Sequence, residues 1–258
     1  MALKIFTHNI KSFGARLLRD HLFELNDDGR TVFITNKPEV LNNHEVINWG
    51  SAKRINCQRL IGNDPRVVGL CINKVRFFDK LSINGMGDHI PEYTSEVAVV
   101  RRWFDEGSKV YCREVVNGSQ GQGIVVASNE RELVPAPLYT KRFKHAREYR
   151  AHFAFGTIIE VVEKKRRRGS DANALVRGND DWVFARTLTK AIYSDEVNHI
   201  KQLAIDASRI IDLSFGAFDI AYSVSKEIGC IFECNTAPGL DNLSANKYAQ
   251  ALQRARVT

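Results

Sequence analysis

Three oxygen-bearing side chains near the end of the chain, Asp219, Glu233 and Asn235, are of the types that together hold a divalent cation. Glu233 and Asn235 stand two positions apart in the apolar, β-prone run Cys230-Ile-Phe-Glu-Cys-Asn-Thr-Ala-Pro-Gly-Leu240, so strand alternation sends both to one face. Asp219 belongs to the preceding β-prone run, Phe215-Gly-Ala-Phe-Asp-Ile-Ala-Tyr-Ser223, and lies beside them if the register allows. The short polar break Ser225-Lys-Glu-Ile-Gly229 predicts an antiparallel hairpin. Two carboxylates and an amide oxygen are hard ligands suited to magnesium, which keeps several waters and completes its shell with nucleotide phosphates. The same residues also fit an ordinary edge hairpin with surface acids, ended by the Pro238-Gly239 turn.

Two further stretches carry phosphate chemistry. Asn117, Gly118, Ser119, Gln120, Gly121, Gln122 and Gly123 form a glycine-rich loop between the β-prone runs 110–116 and 124–127. Glycine permits positive φ and lets successive backbone N–H groups approach an anion. The loop is neither a dinucleotide fingerprint nor a Walker loop, and by itself it also reads as merely flexible. Lys164-Lys-Arg-Arg-Arg168 is a basic run that fits a solvated face or a nucleic-acid patch, while its place at a strand end suits phosphate contacts.

The elements that must position these residues alternate along the chain. Runs 3–6 and 31–35 are β-prone and flank residues 12–25, where Phe13, Leu17, Leu18, His21, Leu22 and Leu25 recur at helical spacing. This β-α-β start implies a parallel sheet. A third run covers 45–50, and 54–68 resists assignment. Asn73 caps a predicted helix over 74–81, and a second helix covers 95–106. Strands dominate from 109 onward, with a pair at 148–155 and 157–163, a helix at 194–213 before the hairpin, and a last helix at 246–256. The fold class is α/β with α+β character.

Composition narrows the partners. A chain of 258 residues with 44% hydrophobic and 26% charged residues is ordinary for one large or two modest globular domains. No apolar run approaches the roughly 20 residues that span a bilayer, and Met1-Ala-Leu-Lys-Ile-Phe6 lacks a signal-peptide profile, so a soluble, cytoplasmic protein with no membrane partner is expected. The 5 cysteines have no Cys-x-x-Cys spacing, which argues against a disulfide framework and a zinc site. The formal charge of +7 favours anionic ligands, and no Ser/His/Asp or Cys/His motif supports covalent hydrolysis.

Taken in order, the glycine flap, the basic strands and the Asp219, Glu233, Asn235 hairpin resemble the ATP-grasp superfamily, above all its ribosomal-protein glutamate ligase branch and phage-encoded relatives. The likeness covers about residues 72–258, and its most specific part is Phe232-Glu-Cys-Asn-Thr-Ala-Pro-Gly239, similar to the family's Glu-x-Asn-x-x-Pro-Gly. Asn73-Lys74 with Ile90-Pro91, and Val46-Ile-Asn-Trp-Gly50, also look like family landmarks. The resemblance implies an ATP-grasp fold with a small N-terminal parallel α/β domain, 1–71. The ATP-grasp domain, 72–258, would hold two α+β subdomains gripping ATP, a flap subdomain at about 108–142 and a metal subdomain at about 143–258.

It further implies ATP and magnesium as cofactors, manganese substituting, with Asp219, Glu233 and Asn235 as metal ligands. Residues 117–123 would cover the ATP phosphates, and Tyr139, Thr140 and Lys141 would lie at the adenine hinge. Arg113 occupies the strand position where the family usually presents a phosphate-binding lysine; arginine keeps the charge and adds a planar fork of donors. Arg150, Lys164 and Arg166 would face the triphosphate and the reacting acyl phosphate, Arg166 nearest, with Asn173 and Arg177 on the loop closing the acceptor side. The implied reaction is ATP-dependent acid–amine ligation on small-molecule or peptide carboxylates and amines. Two other readings stay open: an ATP-grasp kinase without amine transfer, and a nucleic-acid-binding module using Lys164 to Arg168. The acids favour the ligase, because a binder of phosphate backbones gains nothing from Asp219 and Glu233, and nucleic acid is not required.

Overall fold

The computed structural model describes residues 2–26, 29, 31–117, 121–169, 181–186 and 194–257, and its described strands form three sheets. The first is parallel. β1 (Leu3–Thr7), α1 (Phe13–Glu24) and β2 (Val32–Thr35) make the expected β-α-β unit, and β3 (Glu45–Trp49) pairs along the other side of β1. β4 (Arg59–Ile61) completes the order β2-β1-β3-β4. It lies in the stretch whose sequence shows no period, and three residues ordered by pairing with β3 are too few to show one. The Ser12 side chain caps α1 by accepting from the Ala15 N–H at 3.3 Å.

α2 (Pro65–Ile72) and α3 (Lys74–Leu81) follow, and Asn73 caps α3 as its position predicts, accepting from the Arg76 N–H at 3.1 Å. The second sheet is built from β5 (Tyr93–Thr94), β6 (Val110–Arg113), β7 (Ile124–Ala127) and β8 (Leu138–Lys141) in the antiparallel order β5-β8-β6-β7, with α4 (Val97–Asp105) against it. Val110, Cys112, Ala127 and Tyr139 on one face pack on Val100 and Trp103 of α4. Alternation therefore sends Tyr111, Arg113 and Thr140 to the opposite face.

The third sheet holds β9 (Arg147–Ala154), β10 (Thr157–Arg166), β11 (Trp182–Arg186), β12 (Phe215–Ser223) and β13 (Ile228–Asn235), in the order β11-β10-β9-β12-β13. α5 (Ser194–Ile211) lies between β11 and β12 in the chain, and α6 (Asn242–Val257) is the last described element. Tyr149, Ala151, Phe153, Phe218, Ile220 and Ile231 pack with Phe77 and Phe78 of α3 and with Ile200, Leu203 and Ala207 of α5. Each fully buried aromatic or aliphatic side chain of this kind contributes about 1.5–3 kcal/mol. With one face committed to this core, the alternate residues of β9, β10, β12 and β13 must face the other way.

α6 begins at Asn242, earlier than the apolar spacing predicts, because Asp241 and Ser244 cap each other: the Ser244 N–H donates to Asp241 Oδ1 at 2.9 Å and the Asp241 N–H to Ser244 Oγ at 3.0 Å. Its Ala245, Tyr248, Ala249 and Leu252 share a core with Leu3, Ile5, Leu18 and Trp49, so the last helix closes the first sheet. The expected division at 71/72 falls inside α2, whose Cys71 packs with Phe77 and Phe78. No described helix is long and apolar enough to cross a membrane.

Candidate active site

Register puts the chemistry together. Across β12 and β13, Asp219 pairs with Glu233 and Ala217 with Asn235. Ile220 then pairs with Ile231, so Phe232 is the extra residue of a β-bulge. On its other side Asp219 pairs with Arg150 of β9, which pairs in turn with Val162 of β10. A single row of the sheet thus carries Arg150, Asp219 and Glu233 on the face turned away from α5.

Asp219 is fully buried. It accepts from Arg150 twice, Nε to Oδ1 at 2.6 Å and Nη2 to Oδ2 at 2.9 Å, and from Lys164 Nζ at 3.1 Å. Lys164 also lies 3.5 Å from Glu148, and Lys74 Nζ lies 3.4 Å from Glu233. The backbone N–H of Lys74 donates to Val116 at 3.2 Å, which joins the start of α3 to the base of the flap. Arg113, buried in the second sheet, donates from Nε to Thr140 Oγ1 at 3.3 Å.

Burial by itself would raise the Asp219 carboxyl, but Arg150 and Lys164 outweigh it and hold the group well below the usual carboxylate range. For Lys164 burial pulls the other way, and Asp219 and Glu148 overcome it, so the ammonium is held more tightly protonated than in water. Burial lowers the pKa of Arg113, opposed by the negative charge of Glu233 and by Tyr111.

The donor set fits magnesium. A carboxylate offers about four acceptor positions, and the two side chains that pair with Asp219 fill three of them. The Nδ2 of Asn235 is buried without a partner among the described residues, and turning the amide over puts Oδ1 in its place. Among the described residues no three His, Cys, Asp or Glu side chains are grouped so as to hold a metal ion by themselves. Two carboxylates and one amide are what a cation that binds mainly phosphate and water requires.

Of the residues singled out from sequence, Arg113, Thr140, Arg150, Lys164, Asp219, Glu233 and Asn235 lie on these facing surfaces. The flap leaves Asn117 and Gln122 exposed, with Gly121 at φ 76° and Gly123 at φ 65°, and is closed by the Glu114 N–H donating to Gly123 at 2.8 Å. Gly118, Ser119, Gln120, Asn173 and Arg177 lie outside the described residues. The Tyr139 and Lys141 side chains point away from Arg113, as alternation about Thr140 requires. The Tyr139 hydroxyl donates to the Val134 carbonyl at 3.2 Å, and Lys141 pairs with Glu106 at 2.6 Å and Glu92 at 3.0 Å. Arg166 is exposed at the end of β10, and Lys164, two residues inward on the same face, takes the place beside Asp219.

Glu148 is not among the residues singled out from sequence, and Lys74 is named there only as a landmark beside Asn73, not as a site residue. Glu148 carried a usable signal, since it precedes Arg150 by two in one strand and shares its face. Lys74 carried none that linked it to Glu233. A cavity of about 260 Å³ beside these groups is lined by His145, Arg147, Glu148, Lys164, Arg166 and Trp182 among others. A larger one, about 480 Å³ and lined by Tyr93, Arg102, Trp103 and Glu106, lies on the α4 side of the second sheet and holds none of the site residues.

No protein-family model and no curated protein sequence matches the chain. Solved structures do. The ATP-grasp ligase PsnB complexed with minimal precursor superposes with a TM-score of 0.69 at 12% identity, covering 99% of both chains. D-alanine–D-alanine ligase from Bacillus anthracis gives 0.70 at 10% identity, covering 100% of this chain and 99% of that one. VanG D-Ala:D-Ser ligase from Enterococcus faecalis gives 0.69 at 14% identity, covering 99% and 98%. At such identities the likeness is one of architecture, and it extends over the whole length of each chain. The chain has the ATP-grasp fold.

Proposed function

We propose that the protein is an ATP-dependent, ADP-forming carboxylate–amine ligase, acting on small-molecule or peptide acids and amines through an acyl phosphate. The observation that carries this reading is the row Arg150, Asp219, Glu233, with Lys164 against it: one sheet face offers oxygen ligands for a cation and, beside them, cations for phosphate oxygens. PsnB was solved with Mg and ADP, and the Bacillus anthracis ligase with ATP, which supports a nucleotide in the corresponding cleft here.

Charge is the obstacle in such a reaction, because an anionic carboxylate must approach a triphosphate. Asp219, Glu233 and Asn235 would hold magnesium or manganese, which when bound neutralises phosphate oxygens. Arg113 and Lys74 would bind the triphosphate from the flap side, and the backbone N–H groups around Gly121 and Gly123 would close over it. Arg150 and Lys164 would stabilise the charge that develops as the substrate carboxylate attacks the γ-phosphorus and ADP leaves. The amine then attacks the acyl carbonyl and phosphate departs. Asn173 and Arg177 are assigned to the acceptor side.

ADP release, screened over amino acids and peptides and followed by mass spectrometry of the product, tests the reading, with Glu233→Gln as control. The expected result is ADP release that needs both an acid and an amine, and a product heavier by the condensed partner. A stable phosphorylated product formed without amine would make the protein a kinase instead.

A further inference from the structure

Among the described strands β11 stands at the edge of its sheet, paired with β10: Trp182 with Arg166, Phe184 with Lys164 and Arg186 with Val162. Alternation places Trp182, Phe184 and Arg186 on the face that carries Arg150 and Lys164. The rings meet the cations there. Lys164 Nζ lies 4.8 Å from the Trp182 ring centroid and 5.6 Å from that of Phe232, and the Arg150 guanidinium carbon lies 4.8 Å from that of Phe184. All three are within the roughly 6 Å at which a ring face attracts a cation.

Packing does not account for Phe184. Phe184 remains 49% exposed and Val183 41%, on an edge where apolar residues invite unwanted pairing. The strand is nevertheless held firmly: Arg186 pairs with Glu160 at 2.7 Å and with Asp241 at 2.5 Å, and the Arg167 N–H donates to Asp181 at 2.7 Å. The chemistry of the cations supplies a reason. Asp219 and Glu148 draw Lys164 from one side, and a ring attracts it from another without neutralising it, as a third acid would.

We propose that Trp182 and Phe184 are positioning residues, which fix Lys164 and Arg150 through their ring faces and so set the rate of the proposed ligation by way of those two cations. The inference rests on the ligase reading for its kinetics but not for its geometry. Its test has two arms. In protein labelled with ¹³C-lysine, with the Lys164 ε-CH₂ signal assigned by Lys164→Arg, that signal is shifted upfield by the indole ring. It moves toward the position of an exposed lysine in Trp182→Leu and only part of the way in Trp182→Phe. In the ADP-release assay, Trp182→Leu lowers kcat by about tenfold with little change in the KM for ATP, and Trp182→Phe recovers most of the loss.

A Lys164 signal unmoved in Trp182→Leu overturns the proposal, and so does equal loss of kcat in the Leu and Phe variants. Should Trp182→Leu fail to fold, Phe184→Leu with the Arg150 Nε–H resonance as the reporter gives the same decision. If the parent turns over no substrate, the ligase reading fails, and the lysine and arginine signals alone decide whether the rings hold the cations.

Discussion

Arg150 and Asp219 face each other across β9 and β12 as a buried fork on a fork, joined by two hydrogen bonds of 2.6 and 2.9 Å. Arg150 is planar, permanently charged and matched to a carboxylate in geometry. The pair has no counterpart in an edge hairpin whose acids face water. It fixes the carboxylate that the proposed mechanism turns toward magnesium, and it keeps a guanidinium within reach of the phosphates.

Asp219→Asn and Glu233→Gln should therefore differ in stability while agreeing in activity. Asp219 is wholly buried, and removing its charge leaves Arg150 and Lys164 uncompensated, a loss on the order of 3–5 kcal/mol. The Glu233 side chain is 26% exposed and pairs with one lysine, so its variant should stay within about 1 kcal/mol of the parent. Both should abolish turnover. Urea unfolding with ADP-release kinetics at saturating magnesium checks the pair, and equal stability of the two variants would contradict the assigned burial.

Alanine at Lys164, Lys165 and Arg166 should have unequal effects. Lys164 is 9% exposed beside Asp219, whereas Lys165 is exposed on the opposite face with Glu163 as its partner. Lys164→Ala should lower kcat by roughly 10²–10³-fold, the scale of one lost electrostatic contact at a reacting centre, and Lys165→Ala should change little. Arg166→Ala should fall between them, since Arg166 shares the Lys164 face but reaches solvent. Equal, small effects on kcat, with polynucleotide binding lost step by step and a salt slope falling by about one per cation, would restore the nucleic-acid reading.

What was legible in the sequence had a local period. The β-α-β start, Asn73 as a cap and Glu233 with Asn235 on one strand face each follow from signals within one element, whereas Asp219 joins them only through the register of β12 against β13. The phase of one strand against another did not. Whether Tyr139 or Thr140 shares a face with Arg113 depends on which residues pair across β6 and β8. The family resemblance puts Arg166 nearer the phosphates, and alternation gives only the face it shares with Lys164, not which of the two lies beside Asp219. The Arg150–Asp219 pair rests on a register between strands far apart in the chain, which nothing local encodes. The mutual cap of Asp241 and Ser244 was readable and explains the early start of α6.

Gly123→Val should weaken nucleotide binding. Its φ is +65°, and a Cβ there would lie 2.9 Å from Val115 Cγ2, so the flap must distort. Strain on the order of 1–3 kcal/mol corresponds to a rise in the dissociation constant of about five- to a hundredfold. Calorimetry with a non-hydrolysable ATP analogue measures it, and unchanged affinity would return the loop to a flexible connection.

His152 should give the fold a pH dependence of its own. Burial, reinforced by Arg150, lowers its pKa from 6.5 to about 3, and its Nδ1 lies 3.2 Å from the Tyr248 hydroxyl. Between those values the unfolded chain binds a proton that the folded one does not. The native state therefore loses stability as pH falls below about 6.5, by roughly 1.4 kcal/mol per unit from this group. Denaturant unfolding at pH 7 and pH 5 should show roughly 2 kcal/mol less dependence in His152→Gln than in the parent. An unchanged dependence would mean that the imidazole is protonated in the fold.

Transfer of ¹⁸O tests the central claim most directly. With the acid and amine found by the screen and the acid's carboxylate labelled with ¹⁸O, an acyl phosphate requires one labelled oxygen to leave with the phosphate when the amine displaces it. The account predicts one ¹⁸O in the inorganic phosphate for each amide formed, with ADP in equal amount. Unlabelled phosphate beside ADP, or AMP in place of ADP, would contradict it.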